Sequence, residues 1–329
     1  MATVKSIAAA AGVSPSVVSA VLHGSKHVRV SEATRARVQR AVDAAGYVPN
    51  HAARALRLQR TGVLALVLPK LDNPVYHRLV DGIYDAADAH GYSVLLGDGI
   101  RATSGSLMLQ RMVGGGQVDG TLIRPGATIS EDVLTQIRAG GGPIVILDDV
   151  SAEDHWVALQ DELGAYLATR HLVEKGHERI AYLGQTRYQH DRVVGYRRAL
   201  SESGLPAPDD YVIHSLQGTH DGYERFPTLL DLDPRPTAVL VNNVTTAVGV
   251  LAAATDAGLT VPDDLAVIGY HETTIAADLR PSLSTVEMPL YELGRVGVDL
   301  MHTALTGEPV DSHTITEPLP RVIERQSTA

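Results

Sequence analysis

The sequence predicts two structural classes in one chain, a small all-α unit at the start and a two-lobed α/β body with parallel, doubly wound sheets after it. Three observations support this prediction. The 329 residues exceed the roughly 250 to 300 residues at which a single core stops growing. Residues 1–60 have the spacing of short helices, whereas from residue 61 short apolar runs alternate with longer helical stretches.

The charge divides the chain at the same point. Residues 1–60 contain nine basic and two acidic side chains, a net charge of +7, and the remainder contains 19 basic and 36 acidic ones, a net charge of −17. Nucleic-acid phosphates attract a basic unit of this kind, while the acidic body would repel them. Because the chain has no cysteine, disulfides, thiol nucleophiles and cysteine metal sites are excluded.

The first two helices are predicted on either side of a tight turn. Small and apolar residues from Val4 to Ala11 recur at helical spacing, and Gly12 is suited to a left-handed helix end. Ser14 offers a capping oxygen, and Pro15 follows at the first helical position, where its missing N–H costs nothing. Two short helices joined in this way form a helix-turn-helix, whose second helix enters the major groove of DNA.

The second helix has two different faces, and a third helix follows it. We expect the apolar face to pack inward, with Val17, Val18, Val21 and Leu22. We expect the other face, with Ser16, Ser19, Ala20 and His23, to contact DNA. The third helix is predicted from its cap Ser31 to Gly46, with Val38, Ala41, Val42 and Ala45 on one stripe.

A short basic segment follows Pro49 and Asn50 and provides barely two helical turns. A helix this short is marginal in water without a partner, since about 12 to 15 residues are needed. We therefore expect the segment to fold on DNA and to insert Leu56 into a minor-groove step. A plain basic linker is the alternative.

Several long motifs, in this order along the chain, resemble the lac-repressor/galactose-repressor family of bacterial transcriptional regulators. The resemblance covers the whole chain, and its motifs include Thr3–Ala8, Ala11–Ser14, Gly46–Arg54, His171–Ala181, Arg235–Val239, Gly258–Asp264, Ile268–Tyr270 and Leu283–Val286. It implies a headpiece at 1–48, a hinge helix and linker at 49–60, and a two-lobed, periplasmic-binding-protein-like body at 61–329. The N-lobe would comprise about 61–159 and 288–319, and the C-lobe about 160–287 and 320–329.

The resemblance also implies which residues contact DNA. Pro15, Ser16 and Ala20 match base-reading positions, and Ala53 and Leu56 match the minor-groove hinge helix. The family usually has a long polar residue where this chain has Ala20, so a bidentate contact to a base is excluded there, and shape readout around Leu56 should contribute more. The full expected set is Thr3, Ser14, Pro15, Ser16, Ser19, Ala20, His23, Arg29, Asn50, Ala53, Arg54, Leu56 and Arg57.

Seven apolar runs in the body predict strands, at 63–68, 94–96, 121–123, 144–147, 180–183, 238–241 and 265–268. Strands that alternate with helices form parallel sheets covered on both faces. Ligands of such folds bind at the carboxyl ends of the strands, so a two-lobed body has its site between the lobes.

The residues at or after these strand ends are the candidate effector contacts. The resemblance supports Tyr76 as an aromatic that packs on the ligand, and Asp148, Arg192, Asn243 and His271 as effector contacts; Asn73 lies at the end of the first strand. For each residue, a strand-end cap or an ordinary surface position is the alternative.

Two differences from the family bear on the effector, which we expect to be a sugar, a sugar phosphate or a related metabolite. His271 and Val244 stand where the family usually has carboxylates, which bind neutral sugar hydroxyls well. Arg192 is retained, and His271 would be cationic below a pKa of about 6.5. These differences favour a phosphorylated or acidic effector.

We therefore expect a cytoplasmic, homodimeric repressor that binds a pseudo-palindromic operator and a small-molecule effector, without a cofactor, a metal or a membrane partner. No signal-peptide core precedes the headpiece, and no heptad tail for a tetramer follows the body. A solute-binding protein without a DNA role is the alternative function. An enzyme is disfavoured, because the glycine runs match no phosphate or dinucleotide fingerprint and no nucleophile-and-base set is present.

Overall fold

A computed structural model describes residues 3–23, 30–47, 60–113, 116–126, 129–151, 153–185, 190–216 and 218–329. The chain separates into two compact units, residues 1–61 and residues 62–329. Among the described residues no single helix has the length and hydropathy needed to cross a membrane. The helices Val4–Ala11 and Pro15–Leu22 together have sufficient length and hydropathy, but they are bent by 102° relative to each other.

The described part of the first unit contains the three predicted helices, α1 (Val4–Ala11), α2 (Pro15–His23) and α3 (Glu32–Ala44). A capping box begins α1, in which Thr3 Oγ1 accepts from the Ser6 N–H and Ser6 Oγ accepts from the Thr3 N–H. Gly12 ends α1 with a φ of 63°, as predicted. The small core contains Ile7, Ala8, Ala11, Val18, Val21, Val38 and Val42.

The second unit contains two six-stranded sheets. The first consists of β1 (Val63–Leu68), β2 (Ser93–Asp98), β3 (Gly120–Ile123), β4 (Ile144–Leu147), β5 (His155–Ala158) and β11 (His313–Thr314). The second consists of β6 (Ile180–Gly184), β7 (Val212–His214), β8 (Ala238–Val241), β9 (Ala266–Tyr270), β10 (Ser284–Glu287) and β12 (Arg321–Ile323). The strand orders are β11-β5-β4-β3-β1-β2 and β12-β10-β9-β8-β6-β7. Among the described strands, all pairings are parallel except that of β10 with β12.

Helices cover both faces of these sheets. They are α4 (His77–His90), α5 (Leu107–Val113), α6 (Glu131–Ala139), α7 (Asp161–Glu174), α8 (His190–Glu202), α9 (Thr219–Leu230), α10 (Val244–Asp256), α11 (Thr274–Asp278) and α12 (Leu290–Thr306), with 3₁₀ turns at Pro74–Tyr76 and Asp209–Tyr211. Alternate residues of β1 show the two covered faces, since Leu64 and Leu66 belong to one apolar core and Ala65 and Val67 to another. Burial on both sides explains why β1, β3, β4, β6, β8 and β9 are largely apolar runs.

All seven predicted strands are confirmed, but the apolar runs did not indicate β5, β7, β10, β11 and β12. Polar residues interrupt these strands, as in the Ser-Thr-Val-Glu sequence of β10. β7, β11 and β12 are also edge strands of two or three residues. Such strands form because a neighbouring strand supplies hydrogen-bond partners, which a periodicity argument does not detect.

Candidate functional site

Polar residues follow the central strands of both sheets in the body. Arg124 and Asp148 directly follow β3 and β4, and Asn242 and His271 directly follow β8 and β9. All four strands are flanked by others in their sheets, so their carboxyl ends lie at the centre of each sheet edge. This is the position at which parallel α/β sheets bind ligands.

Arg124 connects two of the predicted effector residues, Tyr76 and Asp148. Its Nη2 forms an ion pair with Asp148 Oδ2, and its Nη1 donates to the Tyr76 hydroxyl at 3.3 Å. The guanidinium carbon also lies 5.4 Å from the centre of the Tyr76 ring. Tyr76 and the Asp148 side chain are both buried. The first sheet therefore contributes a buried cation held between an aromatic ring and a carboxylate.

Arg192 on α8 forms the corresponding centre at the second sheet and is fully buried. Its Nε donates to Asp161 Oδ2 at 2.9 Å, its Nη1 donates to the Asn242 carbonyl at 2.9 Å, and its Nη2 lies 3.1 Å from His271 Nε2. The guanidinium stacks 3.9 Å from the centre of the Tyr270 ring. Arg192 and His271, which the resemblance implied, are thus in direct contact.

Two charged residues of this site, Arg124 and Asp161, were not among the sequence-based candidates. Arg124 directly follows the predicted strand at 121–123, so the same strand-end rule would have identified it. Asp161 is the first residue of α7 and follows no predicted strand, and its pairing with Arg192 depends on the tertiary fold. The sequence contains no local signal for that second residue.

The two predicted asparagines use their side-chain oxygens as caps. Asn73 Oδ1 accepts from the Val75 N–H at 3.2 Å at the 3₁₀ turn, and Asn243 Oδ1 accepts from the Thr245 N–H at 2.9 Å at the start of α10. Both residues are buried. The alternative interpretation, a strand-end cap, accounts for these oxygen atoms, and an effector contact through the amide nitrogens stays a prediction.

The protonation states of the site follow from burial and from its two arginines. Burial raises the pKa of Asp148 to about 6; Arg124 opposes this increase and Asp161 adds to it. At neutral pH the Asp148 carboxylate is therefore mostly ionised. Burial, Arg192 and Arg124 together lower the pKa of His271 well below its usual 6.5.

The expectation that His271 adds positive charge is therefore wrong. An imidazolium there would be desolvated beside two guanidinium groups, so the ring stays neutral. The remaining charges of the cluster balance, because Arg124 pairs with Asp148 and Arg192 pairs with Asp161. Arg192 opposes the increase in the pKa of Asp148, and Arg124 contributes to the decrease in the pKa of His271, so the charges of the two pairs act on each other's residues; we call the two pairs together the buried cluster.

A cavity of about 370 Å³ adjoins this cluster, with Asp161 in its wall. Sites for small ligands in proteins have volumes of about 300 to 1,000 Å³, so this cavity is of suitable size for a small metabolite. Its lining is Leu159, Gln160, Asp161, Glu162, Leu163, Asp191 and Arg198. Asp161 pairs with Arg192 and Glu162 pairs with Arg198, so Asp191 leaves this wall, counted together with Arg192, with one net negative charge.

The headpiece presents a polar surface at the start of α2. Ser14, Pro15 and Ser16 are exposed, and the hydroxyls of Ser14 and Ser16 are 2.7 Å apart. Thr3 is exposed, and Ser19 is half-buried. The expectation that Ala20 faces outward is wrong, since it is only 5% exposed. Helical spacing places Ala20 opposite the core-facing Val18, but spacing does not show which other segment covers that side.

The remaining predicted DNA-contacting residues stay predictions. Arg29, Asn50, Ala53, Arg54, Leu56 and Arg57 lie outside the described residues. His23 is the last residue of α2.

The family model for bacterial regulatory proteins of the lacI family matches residues 3–50, and that for a periplasmic binding protein-like domain matches residues 169–328. The ribose operon repressor of Escherichia coli is 34% identical over 339 residues, covering 99% of this chain and 100% of that protein. Catabolite control protein A of Priestia megaterium is 33% identical, covering 99% of both chains. The chain belongs to the lacI family.

Solved structures of lacI-family proteins agree over the full length. The lac repressor dimer bound to operator and the anti-inducer ONPF has a TM-score of 0.79 and 25% identity, covering 99% of both chains. The complex of the transcriptional regulator CelR with cellobiose has a TM-score of 0.72 and 28% identity, covering 99% of this chain and 100% of that one. This lacI-family chain is accordingly a DNA-binding transcriptional regulator with a helix-turn-helix headpiece and an effector-binding body.

Proposed function

We propose that this lacI-family regulator represses transcription as a homodimer, and that an uncharged, hydroxyl-rich compound of the sugar class controls its affinity for the operator. The effector would bind at the facing strand ends, beside Tyr76, Arg124, Asp148, Asp161, Arg192 and His271. The observation that carries this proposal is the charge balance of the buried cluster, in which each arginine has its own carboxylate.

The charge balance argues against an anionic effector. A phosphate or carboxylate would need a cation that is not already paired, because burying an uncompensated charge costs several kcal/mol. Both arginines of the cluster are paired, His271 is neutral, and Arg198, the cation of the adjoining cavity wall, is paired with Glu162. Sugar hydroxyls, in contrast, donate to carboxylates and accept from N–H groups without adding charge. Ribose in the name of one relative and cellobiose in one related complex support the same class.

We place the DNA-contacting surface at the start of α2, with Thr3, Ser14, Pro15, Ser16 and Ser19. An exposed hydroxyl pair beside a helix N-terminus is suited to contact both phosphates and base edges. The basic residues of the headpiece would supply the phosphate contacts. The proposed role of the hinge segment at 49–60 rests on sequence alone.

The edge strand β2 is our proposed contact between two copies of the chain. Leu95 and Leu96 are 40% and 39% exposed on an outer strand of the first sheet, and an exposed apolar edge favours association. The lac repressor neighbour is a dimer. Sedimentation should give a dimer for the natural chain and a monomer for the double variant L95K/L96K; an unchanged dimer would place the interface elsewhere.

We infer further that the chain is a regulator without enzymatic activity and acts in the cytoplasm, where its DNA is. Its relatives are named as repressors and control proteins, which supports this inference. The two lobes would follow the two sheets, with boundaries near residues 159, 287 and 319.

A gel-shift titration with DNA from upstream of its own gene tests the regulatory function. We expect specific retardation that competes with unlabelled operator and not with scrambled DNA of the same length. A thermal-shift screen of neutral sugars, sugar phosphates and sugar acids then tests the effector class. Hits confined to sugar phosphates or acids would refute the proposed uncharged effector.

A further inference from the structure

Two nitrogen atoms of the site have no hydrogen-bond partner among the described residues. They are Arg124 Nε and His271 Nδ1, and both are fully shielded from solvent. Burying a donor or acceptor without a partner costs free energy, so native proteins rarely leave such groups unless a function uses them. The pattern of donors and acceptors around these two atoms therefore carries information about a ligand.

The contact with Arg192 determines where the His271 ring carries its proton. A guanidinium can only donate, so His271 Nε2, at 3.1 Å from Arg192 Nη2, must accept. Because the ring is neutral, its single proton is on Nδ1. The partnerless nitrogen of His271 is consequently an N–H donor, and Arg124 Nε is a donor as well.

These two donors belong to the same buried cluster. Arg124 directly follows β3 and His271 directly follows β9, so each lies at the carboxyl end of a central strand. The guanidinium charge of Arg124 contributes to the lowered pKa of the neutral His271 ring. His271 contacts Arg192 of the Arg192–Asp161 pair directly, and Arg124 interacts electrostatically with Asp161.

We propose that Arg124 Nε and His271 Nδ1 determine effector specificity by donating hydrogen bonds to acceptor oxygens of an uncharged ligand. This inference rests on the proposed effector class and identifies the two atoms that would recognise such an effector. The charge of Arg124 is already matched by Asp148, so Nε is available as a directional donor rather than as an anion site. In the adjoining cavity wall Asp161 and Glu162 already pair with Arg192 and Arg198, and Asp191 would accept from ligand hydroxyls and disfavour an anion.

Calorimetric titration of the full chain with D-ribose, D-glucose, D-galactose and cellobiose tests the donors, with D-gluconate and D-glucose 6-phosphate as anionic probes. R124K keeps a cation beside Asp148 but has no Nε–H, and H271Q keeps an amide near Nε2 but has no donor at the Nδ1 position. Each should reduce the affinity for the bound sugar at least about tenfold, the effect of leaving one strong hydrogen bond unmade. H271N places an amide nitrogen near the Nδ1 position and tolerates a positive φ, so it should restore most of the affinity.

His171→Gln is the matched control, since this histidine bonds Thr328 outside the site, and its affinity should equal that of the natural chain. Equal affinity in R124K and H271Q would overturn the inference and leave the proposed sugar class intact. Binding of the anions alone, or of no compound, would refute the effector class and the inference with it. Nitrogen-15 spectra of the unliganded chain give a test that needs no ligand. The His271 signals, which are assigned by their loss in H271Q, should show a protonated Nδ1. A protonated Nε2 would overturn this inference and leave the proposed effector class intact.

Discussion

Asp148 and His271 occupy equivalent positions in the two sheets and have the same unusual backbone conformation. Each is the first residue after its strand, β4 or β9, and these strands have matching places in the two strand orders. Their φ angles are 61° and 71°, and they are the only non-glycine residues with a positive φ in the described part of the chain. A left-handed conformation costs a non-glycine residue roughly 1 to 3 kcal/mol, so backbone strain is concentrated at the strand ends of the proposed effector site.

The strain at Asp148 predicts a difference between two uncharged replacements. Asparagine tolerates a positive φ, whereas a β-branched residue there is strained. Asp148→Thr should therefore lower the free energy of unfolding by about 1 to 3 kcal/mol more than Asp148→Asn. Urea denaturation of both variants measures the difference. The same two changes at the exposed neighbour Asp149 serve as the control, and an equal Thr–Asn difference at both positions would show that strain is not the cause.

The neutral state of His271 predicts a pH dependence of stability. The unfolded ring takes a proton as the pH falls through about 6.5, while the folded ring, with its lowered pKa, does not. The contribution of a neutral His271 is thus fully present above pH 6.5 and is lost as the pH falls below it, at up to about 1.4 kcal/mol per pH unit.

His271→Gln should remove this dependence. We expect the free energy of unfolding of the natural chain to fall more steeply between pH 7 and pH 5 than that of the variant, in urea titrations at constant salt. Burial also lowers the pKa values of His171 and His177, but both histidines are present in the natural chain and in His271→Gln. Their effects on the pH dependence of stability therefore cancel in the comparison. Parallel pH profiles would mean that the folded ring at 271 titrates normally.

The sequence predicted the parts of the fold that depend on local pattern. Six of the seven predicted apolar runs are strands buried on both faces, and the exception is the edge strand β2, whose Leu95 and Leu96 are exposed. The Gly12 turn and the Ser31 cap depend on neighbouring backbone groups alone. β10 has polar residues and was not indicated by periodicity, although it pairs with both β9 and β12. Its formation depends on those partners.

The site was predictable in position but not in electrostatics. Strand ends and the family resemblance led to Tyr76 and Asp148, which both contact Arg124, and to Arg192 and His271, which contact each other. The charge of His271 could not be predicted, because it depends on burial beside two guanidinium groups that are distant in sequence. Asp161, which pairs with Arg192 across 31 residues, could not be predicted for the same reason, and its charge is part of the basis for the uncharged effector that we propose.

The pairing of Asp161 with Arg192 predicts a large loss of stability when the carboxylate is removed. Arg192 is fully buried, so Asp161→Ala leaves a desolvated guanidinium without its counter-charge, which costs about 3 to 5 kcal/mol. Asp209→Ala is the matched control, because it breaks an exposed pair with Arg197 and should cost less than about 1 kcal/mol. Denaturation midpoints of both variants measure the effect, and similar losses in the two would contradict the assigned role of the buried pair.

The burial of Ala20 sharpens a prediction about operator recognition. With Ala20 covered, the described face of α2 offers base edges mainly short hydroxyl side chains, which make no bidentate contact of the Arg or Asn kind. Leu56 lies outside the described residues, and its sequence context predicts a minor-groove wedge. Leu56→Ala should therefore weaken operator binding more than Ser16→Ala, by about tenfold against a few-fold, because it removes the contact that stabilises bent DNA.

Fluorescence anisotropy with one labelled operator at fixed salt measures both affinities, since phosphate contacts make absolute values salt-dependent. Leu319→Ala is the matched control, an equivalent truncation of an exposed leucine in the body, and it should leave operator affinity unchanged. The difference in affinity between the natural chain and Leu56→Ala should be smaller on a scrambled duplex than on the operator, because the Leu56 wedge contributes where the DNA sequence permits a kink. A larger loss for Ser16→Ala would instead assign specificity to direct readout by α2.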